Sequence, residues 1–529
     1  MPGRLAIDFG TSNTRVGVWD SAMGGARTVA LPDVSRAALH EGADGERIEV
    51  PYIPSLIAYA GKQVWIGRQV EDKGLLRSEA AFRWMKRYIS SRLELPRRIE
   101  GRSVKFSEAG SDFLVRVLVY AAEAIDLGDE EVAFSAPVEA FEHYQDWLAG
   151  VCERAGIARY RLVDEASAAA LGYGVHVTAG GAFMVFDFGG GTLDVSIVRV
   201  EPSPQGGKRC TVLGKGGAEV GGSVIDNWLY RHVLEVNDLQ PEDVRHLSNL
   251  LLLEVERAKE TLTWSDRTSI TVADPDTGEV IGAELTRSSF EDLLEQNGLF
   301  ETVQRTVNRA LSEARERGYD GDHIQAVLLA GGSSLIPSVR RSVRQMFGAR
   351  VKAHRPLDAT VLGAAAFVSG MDFYDHIQHS YALRYYDREK GDHEYLSIVP
   401  AGTPYPSDGP IRQVMVRASY DGQEHLGLDI FELADKDCFV GSGGAGLDLV
   451  FDPSGGVRFR RREASEVTGR FWINEKCPTF IQAMPPAERG DKRFPVSFSV
   501  DGNRRLCVTV RDIRTGRTIL KDHPLIKLT

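Results

Sequence analysis

The sequence has few cysteines and no pattern among them. Its 529 residues include five, all far apart and none in a Cys-x-x-Cys pair: Cys152, Cys210, Cys438, Cys477 and Cys507. Disulfide scaffolds and structural zinc sites both need paired or closely spaced cysteines. We therefore expect free thiols in a reducing compartment, and neither a disulfide framework nor a zinc centre.

Long apolar runs and an excess of positive charge are also absent. No stretch approaches the roughly 18 apolar residues of a membrane-spanning helix. Residues 1–7 lead directly into a glycine motif, so we expect no signal peptide. The 63 basic residues are outnumbered by 74 acidic ones, a net charge of −11, whereas a general nucleic-acid binder carries a basic face. These absences predict a cytoplasmic protein that works neither in a membrane nor on nucleic acid.

The pattern of the sequence changes near residue 370. Before it, apolar strand-like runs alternate with helical patterns, which indicates an α/β region. After it, short alternating strands separated by Gly, Asp and Pro predict an antiparallel β domain, in which the basic stretch 458–462 is typical of a solvated loop. Because a single core stops growing near about 250–300 residues, we expect two domains, over 1–370 and 379–529, and a linker over 371–378.

An internal repeat lies within the α/β region. The sequence Asp-Phe-Gly occurs at 8–10 and again at 187–189, each time after an apolar run and before a small polar turn and an alternating strand. Two matched copies predict a duplicated architecture, with lobe I over about 1–180 and lobe II over about 181–370.

The repeated turns have the composition of a phosphate site. Glycines let backbone N–H groups surround a phosphate closely, and the hydroxyls of Thr11, Ser12 and Thr192 add donors. Asp8 and Asp187 have the wrong charge for a phosphate, but Mg²⁺ binds carboxylates together with waters and phosphate oxygens. One copy alone would fit an ordinary Asp-Gly hairpin turn equally well. Two copies favour a clamp for a magnesium-bound nucleotide.

A third glycine turn, Gly331-Gly332-Ser333, follows an apolar run and precedes Pro337, which suits the first turn of a helix. A turn of this kind can hold a nucleoside, although on its own it is more often structural.

Taken together and in this order, these elements resemble the actin, sugar-kinase and heat-shock-70 ATPase superfamily, and most closely the heat-shock-70 chaperone family. Residues 163–174 and 358–366 are similar to the family's two connecting segments, whose Gly and Ala residues would let two helices cross closely. Lys86 stands in a segment similar to that of the catalytic lysine, and Glu-Arg-Ala-Lys at 256–259 matches the helix beside the nucleoside. The resemblance covers nearly the whole chain.

This resemblance implies a two-lobed actin-like (ribonuclease H-like) ATPase domain followed by an antiparallel β-sandwich for substrate. Residues 398–406 and 485–490 are similar to parts of that sandwich. The implied activity is hydrolysis of ATP to ADP and phosphate, coupled to binding of unfolded or extended peptides. Mg²⁺ is the implied ion and K⁺ a further candidate; a J-domain co-chaperone and a nucleotide exchange factor are candidate partners.

The resemblance also implies residue roles. Lys86 would neutralise the γ-phosphate and help to hold the attacking water, although a Lys-Arg helix face is by itself more often only solvated. Glu165, Thr192 and Asp194 would order that water, and Asp8 and Asp187 would hold hydrated Mg²⁺. The implied nucleotide contacts are Gly10, Thr11, Ser12, Asn13, Gly189, Gly190, Gly191, Thr192, Gly221, Gly222, Glu256, Lys259, Thr263, Gly331, Gly332, Ser333 and Asp358.

The chain departs from the family in three places. Glu260 and Leu335 stand where the family has two arginines that stack on adenine. Because a cation over a ring contributes about 0.5–2 kcal/mol, we expect nucleotide affinity to be weaker by roughly one to two orders of magnitude. The family's leucine-rich acidic linker is missing from 371–376, which makes strong domain coupling less expected. The sequence ends after the β domain, so we expect no helical lid and fast peptide exchange.

One further kind of function stays open, and two others are disfavoured. A nucleotide-binding holdase or regulatory co-chaperone with little turnover would fit Glu260 and Leu335. A small-molecule kinase or a filament-forming protein of the same superfamily would have no use for residues 379–529.

Overall fold

The computed structural model describes most of the chain. The described residues are 3–41, 46–93, 95–125, 130–137, 142–174, 182–202, 208–274, 277–369, 377, 380–387, 391–400, 403, 407, 409–433, 447–451, 457–461, 470–474, 478–501 and 505–528. The chain divides into two compact units. Unit 1 comprises Met1–Val138, Asp146–Phe373 and Asp437–Glu463, and unit 2 comprises Glu139–Gln145, Tyr374–Lys436 and Ala464–Thr529. Apart from Ile377, the predicted linker 371–378 lies outside the described residues.

Unit 1 begins with a mixed sheet and its helices. In chain order the elements are β1 (Leu5–Phe9), β2 (Asn13–Asp20), β3 (Gly25–Thr28), β4 (Arg36–Glu41), β5 (Arg47–Pro54), β6 (Ile57–Ala60), β7 (Gln63–Ile66), α1 (Arg68–Asp72), β8 (Ala81–Phe82), α2 (Met85–Ser90), β9 (Arg97–Ile99), β10 (Arg102–Val104), α3 (Phe106–Ala124), β11 (Val132–Ala136), α4 (Glu142–Arg154), β12 (Tyr160–Asp164) and α5 (Glu165–Gly172). The first sheet has seven strands in the order β12-β11-β1-β2-β5-β4, with β3 paired to β2. Strand β1 is almost entirely buried, as expected for a central strand covered on both faces.

A second mixed sheet follows. Its elements are β13 (Ala182–Phe188), β14 (Leu193–Pro202), β15 (Lys208–Ala218), α6 (Gly222–Val236), α7 (Ser248–Trp264), β16 (Arg267–Ala273), β17 (Val280–Thr286), α8 (Arg287–Gln296), α9 (Leu299–Glu316), β18 (Ile324–Ala330), α10 (Pro337–Phe347), β19 (Val351–Lys352) and α11 (Ala359–Val368). The second sheet has five strands in the order β15-β14-β13-β18-β19.

The internal repeat is confirmed as a structural repeat. In the first sheet, β1 pairs antiparallel with β2 and parallel with β11. In the second sheet, β13 pairs antiparallel with β14 and parallel with β18. Each Asp-Phe-Gly sequence therefore lies where a central strand turns into an antiparallel hairpin.

Helices α5 and α11 cross at glycines, which confirms the expected role of small residues in the two connecting segments. A Cβ atom on Gly363 would lie 1.7 Å from the carbonyl oxygen of Ala168, and one on Gly172 would lie 1.8 Å from that of Ala359. No side chain fits at either position unless the helices separate.

Gly363→Ala is accordingly expected to lower the stability of unit 1 by about 1–3 kcal/mol or more, because the added methyl group meets backbone rather than a flexible side chain. Thermal unfolding monitored by circular dichroism would measure the loss. Gly150→Ala is the matched control, since a Cβ there meets no atom within 4 Å in helix α4 and alanine favours a helix. An unchanged midpoint for Gly363→Ala would contradict the close crossing.

Residues 380–528 contribute strands β20 (Ser380–Asp387), β21 (Asp392–Val399), β22 (Arg412–Arg417), β23 (Gln423–Leu428), β24 (Ile430–Leu433), β25 (Leu447–Phe451), β26 (Val457–Arg461), β27 (Arg470–Trp472), β28 (Thr479–Ala487), β29 (Lys492–Val500), β30 (Arg505–Arg511) and β31 (Thr518–Lys527). In unit 2 they form two four-stranded antiparallel sheets, β21-β20-β24-β27 and β22-β29-β30-β31, and the pair β23-β28. The two sheets and the pair share one apolar core, which includes Tyr381, Leu428, Ile481, Phe494 and Val508. The prediction of an α/β region followed by an antiparallel β region is confirmed.

One hairpin departs from this division. Strands β25 and β26 pair with each other, and they lie against helices α6 and α7 of unit 1. The prediction of a solvated loop at 458–462 was wrong for the described residues, since Val457–Arg461 is a strand. Val457 and Phe459 alternate with arginines there, and this two-residue period is that of a strand.

Among the described residues, none of the helices combines the length and apolar character needed to span a bilayer.

Candidate nucleotide site

The two repeated turns touch each other in unit 1. A Cβ atom on Gly190 would lie 2.6 Å from Ser12 Oγ, and one on Gly191 would lie 2.9 Å from Thr11 Oγ1. In the first turn, Ser55 Oγ donates a hydrogen bond of 2.8 Å to the carbonyl oxygen of Gly10. Where the two hairpin turns meet, glycines of the second turn thus face hydroxyl groups of the first turn.

The beginning of helix α6 lies beneath the second turn. The N–H of Gly222 donates to the carbonyl oxygen of Gly189 at 3.0 Å, and that of Ser223 donates to Gly190 at 2.8 Å. A Cβ atom on Gly221 would lie 2.5 Å from the carbonyl carbon of Gly191. The positive end of a 15-residue helix therefore points at the turn, an arrangement that favours an anion.

The third glycine turn joins the same place. Gly331 has a φ of 78°, and a Cβ on it would lie 2.6 Å from Asp187 Oδ1, so both the backbone and the space require glycine. Ser333 Oγ donates to the carbonyl oxygen of Gly189 at 2.8 Å. A Cβ on Gly332 would meet open space. All three glycine turns predicted from the sequence thus converge.

The four residues with implied catalytic roles form two close pairs. Lys86 Nζ lies 2.6 Å from Glu165 Oε1, and both side chains are largely buried. Thr192 Oγ1 donates to Asp194 Oδ2 at 2.6 Å. These contacts hold the ammonium group of Lys86 and the carboxylate of Asp194 in fixed positions.

The two aspartates of the repeat have polar partners of different kinds. Asp8 Oδ1 accepts a hydrogen bond of 2.7 Å from Ser135 Oγ, at the end of β11. Asp187 is opposite Asp194 across the β13–β14 pair. Both aspartates thus lie near the ends of central strands, and Ser135 orients the carboxylate of Asp8.

Electrostatics links these pairs into one acidic cluster. The pKa of Glu165 is raised to about 7, chiefly by burial, with Asp8 and Asp194 adding to the rise and Lys86 opposing it. Burial also raises the pKa of Asp187 well above its ordinary value, with Glu165, Asp194 and Asp8 adding to the effect. These carboxylates lie close enough to destabilise one another's charge.

Such a cluster fits a hard cation. The donors are carboxylate and hydroxyl oxygens, which are the protein ligands that Mg²⁺ prefers, together with waters and phosphate oxygens. Within the ranges that the structure describes, no three His, Cys, Asp or Glu side chains converge on one point that could hold a metal ion. Asp8 and Asp187, the pair that the sequence predicts for Mg²⁺, would need waters and phosphate oxygens to complete the coordination of an ion.

Helix α7 carries the predicted nucleoside contacts, and each already has a partner. Lys259 Nζ lies 2.7 Å from Asp226 Oδ1 and donates to the carbonyl oxygen of Gly222 at 3.1 Å. Glu256 Oε2 lies 2.9 Å from Arg83 Nη1. Thr263 Oγ1 donates to the carbonyl oxygen of Lys259 at 3.4 Å, so its hydroxyl is turned along the helix.

The two positions that lack arginine differ in exposure. Leu335 is only 8% exposed, whereas Glu260 is exposed on helix α7. Desolvation by its neighbours nevertheless raises the pKa of Glu260, with Lys259 opposing and Glu256 adding to the rise. Burial also raises the pKa of Tyr52, and the negative charge of Glu260 adds to this rise. Weakened base binding remains a prediction.

The remaining predicted contacts lie at the edges of the site. Asp358 precedes helix α11, is buried, and has its Oδ2 3.2 Å from Arg355 Nη1. Asn13 begins β2, opposite Pro54 of β5.

Sequence reasoning missed two arginines. Arg83, whose side chain is 6% exposed, links the segment before α2 to Glu256 on α7, and no local pattern predicts a partner 173 positions away. Arg15 is opposite Asp8 in the β1–β2 pair. A signal for Arg15 was present, because it occupies the place that Asp194 has in the second copy of the repeat.

The chain is similar to known chaperones. A family model described as Hsp70 protein matches residues 149–372. Chaperone protein DnaK of Thermus thermophilus is 24% identical over 547 aligned residues, which cover 98% of this chain and 80% of that protein. A Chaperone protein HscA homolog of Shewanella piezotolerans is 28% identical, over 65% of this chain and 54% of its own length. Heat shock 70 kDa protein BIP3 of Oryza sativa is 29% identical, over 69% and 50%.

Proposed function

Because this chain belongs to the Hsp70 family, we propose that it is an ATP-dependent molecular chaperone, which hydrolyses ATP to ADP and phosphate and binds unfolded peptide segments in its β region. Members of this family are ATPases, and the similar proteins of Thermus thermophilus and Shewanella piezotolerans are named as chaperones. The observation that carries the proposal is the convergence of three glycine turns on an acidic cluster that contains the Lys86–Glu165 pair.

In the proposed architecture the first and second sheets are the two lobes of an actin-like ATPase domain. The Gly190–Ser12 and Gly191–Thr11 approaches support a cleft whose floor is formed by both turns. The three turns would bind the phosphates through backbone N–H groups, and helix α7 would border the nucleoside.

In the proposed reaction a water oxygen forms a bond to the γ-phosphorus and the bond to the β,γ-bridging oxygen breaks. Lys86 would hold the water and stabilise charge on the γ-phosphate, the main catalytic effect in phosphoryl transfer. A Glu165 carboxylate with a pKa of about 7 suits a group that takes up the water's proton at neutral pH. Thr192 and Asp194 would orient the water. Mg²⁺, held through waters by Asp8 and Asp187, would supply positive charge to the β- and γ-phosphates.

A nucleotide-binding holdase with little turnover is the second candidate. The partners of Glu256 and Lys259, namely Arg83 and Asp226, favour it, because a nucleoside must compete with these ion pairs. The presence of Glu260 and Leu335 in place of two arginines also favours the holdase. K⁺ binding, a J-domain co-chaperone, a nucleotide exchange factor and a cytoplasmic location remain predictions from the sequence.

Single-turnover hydrolysis by the purified full chain separates the two candidates. The protein is mixed with limiting labelled ATP and Mg²⁺, with and without an unfolded peptide, and equilibrium binding of ADP is measured in parallel. The ATPase proposal expects phosphate release in one exponential phase, and a rate that peptide does not change would count against coupling between hydrolysis and peptide binding. Binding without phosphate release would support the holdase, and neither binding nor release would contradict both.

A further inference from the structure

Arg15 breaks the symmetry of the repeated turns. In the second sheet, Asp187 is opposite Asp194, so two carboxylates share the end of the β13–β14 pair. In the first sheet, the equivalent pair is Asp8 and Arg15. One turn therefore presents two acids, and the other presents an acid and a guanidinium.

Arg15 lies opposite Asp8 across the β1–β2 pair, where the charges of the acidic cluster act on its guanidinium. Burial lowers its pKa, and the carboxylates of Asp8 and Asp358 oppose this effect. The phenol of Tyr52 and the carboxylate of Asp187 also favour the charged form. An arginine in such surroundings stays protonated at neutral pH, so Arg15 adds a permanent positive charge beside the two aspartates that would hold Mg²⁺.

The bonding of Arg15 is incomplete within the described part of the chain. Its Nε is buried and has no hydrogen-bond partner. The nearby carboxylates are oriented by other groups, Asp8 by Ser135 and Asp358 by Arg355. A buried Nε without a partner is costly, and phosphate, like carboxylate, matches the planar fork of an arginine.

We propose that Arg15 is a fixed cation of the phosphate site, which binds the nucleotide's phosphate groups and supplies part of the positive charge that a divalent metal otherwise supplies. The inference rests on the proposed nucleotide binding and specifies which residue sets its dependence on metal. A protein with such a residue retains nucleotide when Mg²⁺ is withdrawn.

The test compares nucleotide affinity with and without metal. Equilibrium binding of ATP and ADP is measured by calorimetry in Mg²⁺ and in EDTA, for the full chain and for Arg15→Gln and Arg15→Lys. We expect Arg15→Gln to lose about tenfold or more in EDTA, the effect of one charge-assisted hydrogen bond, and clearly less in Mg²⁺. Arg15→Lys keeps the charge but not the fork, so its affinity in EDTA should be intermediate.

Arg27→Gln is the matched control. Arg27 lies on β3 of the same sheet, is exposed, and has only a 4.0 Å contact with Asp20, so its replacement should change neither measurement. Thermal unfolding of each variant identifies losses that are due to misfolding. If Arg15→Gln does not fold, wild type and Arg15→Lys decide between the outcomes.

The test separates failure of the role proposed for Arg15 from failure of the proposed nucleotide binding. Equal losses in Mg²⁺ and EDTA, no loss in either, or wild-type binding that vanishes in EDTA would each overturn the role of Arg15 and leave nucleotide binding intact. Wild type that binds no nucleotide under either condition would overturn both. A loss that is specific to EDTA supports the proposal.

Discussion

Lys86→Met is expected to lower the single-turnover rate of ATP hydrolysis by about 10²–10³-fold, the effect of removing one preorganised donor that stabilises charge in a transition state. Lys86 and Glu165 are 2.6 Å apart and mostly buried, so the ammonium group is held in place before nucleotide binds. Affinity for ADP should change much less than the rate, because ADP lacks the γ-phosphate that Lys86 is proposed to contact.

Two controls protect this interpretation. Lys62→Met removes an exposed lysine from the β6–β7 turn and should leave the rate unchanged. Lys86→Met leaves the Glu165 carboxylate without its partner, which destabilises a buried site. The double variant Lys86→Met/Glu165→Gln removes that charge and should restore stability without restoring turnover. A Lys86→Met variant that turns over ATP at the wild-type rate would exclude the proposed role.

The sequence was most informative where function depends on backbone shape. Asp8–Gly10 and Asp187–Gly189 could be paired because each copy combines an apolar strand with a glycine turn, and this local pattern also determines the β1–β2 and β13–β14 hairpins. The turn at Gly331 was recognisable for the same reason, since a positive φ beside another backbone admits only glycine.

Side chains that meet across the fold were not predictable. Arg83 reaches Glu256 only because the segment before α2 and helix α7 come together in unit 1, and no periodicity records such a contact. The resemblance implied that Glu256 and Lys259 contact the nucleoside; the structure adds that Arg83 and Asp226 already engage them. A nucleoside must therefore compete with these two ion pairs, and a sequence motif does not reveal that competition.

The sequence also did not predict that the β25–β26 hairpin belongs to unit 1. Its strands are encoded between β24 and β27, which belong to unit 2, yet the hairpin lies against α6 and α7 of unit 1. Helix α7 carries Glu256 and Lys259, and α6 begins at the second phosphate turn. A segment encoded within the β region thus contacts the helices that border the proposed nucleotide site.

Asp512→Asn is expected to destabilise unit 2 by about 3–5 kcal/mol, because it leaves a buried guanidinium without its counter-ion. Arg493 and Asp512 form a bidentate pair, with both contacts at 2.8 Å, and their side chains are 1% and 3% exposed. Asp512 also accepts hydrogen bonds from Arg514 and Thr515, so the carboxylate fixes the turn between β30 and β31. Hydrogen exchange of peptides from β29 and β30 would measure the loss within unit 2.

Asp501→Asn is the matched control, since its pair with Arg505 is 28% and 47% exposed and such pairs contribute about 0–1 kcal/mol. Replacing both partners, as in Arg493→Met/Asp512→Leu, should recover most of the stability, because a buried apolar pair of similar volume avoids the desolvation of two charges. A double variant as unstable as Asp512→Asn would show that the turn contacts of Asp512, rather than its charge, stabilise the unit.

The Arg493–Asp512 pair also predicts how the difference in stability between wild type and Asp512→Asn depends on pH. The hydrogen bonds from Arg493 lower the pKa of Asp512 well below its ordinary value. A depressed carboxylate pKa contributes stability that is complete above the unfolded-state pKa of about 3.9 and is lost as pH falls below it. The stability difference between wild type and Asp512→Asn should thus be constant from neutral pH to about pH 5 and shrink progressively below about pH 4. A difference that stays constant down to pH 2 would mean that the variant acts through packing and not through the charge of Asp512.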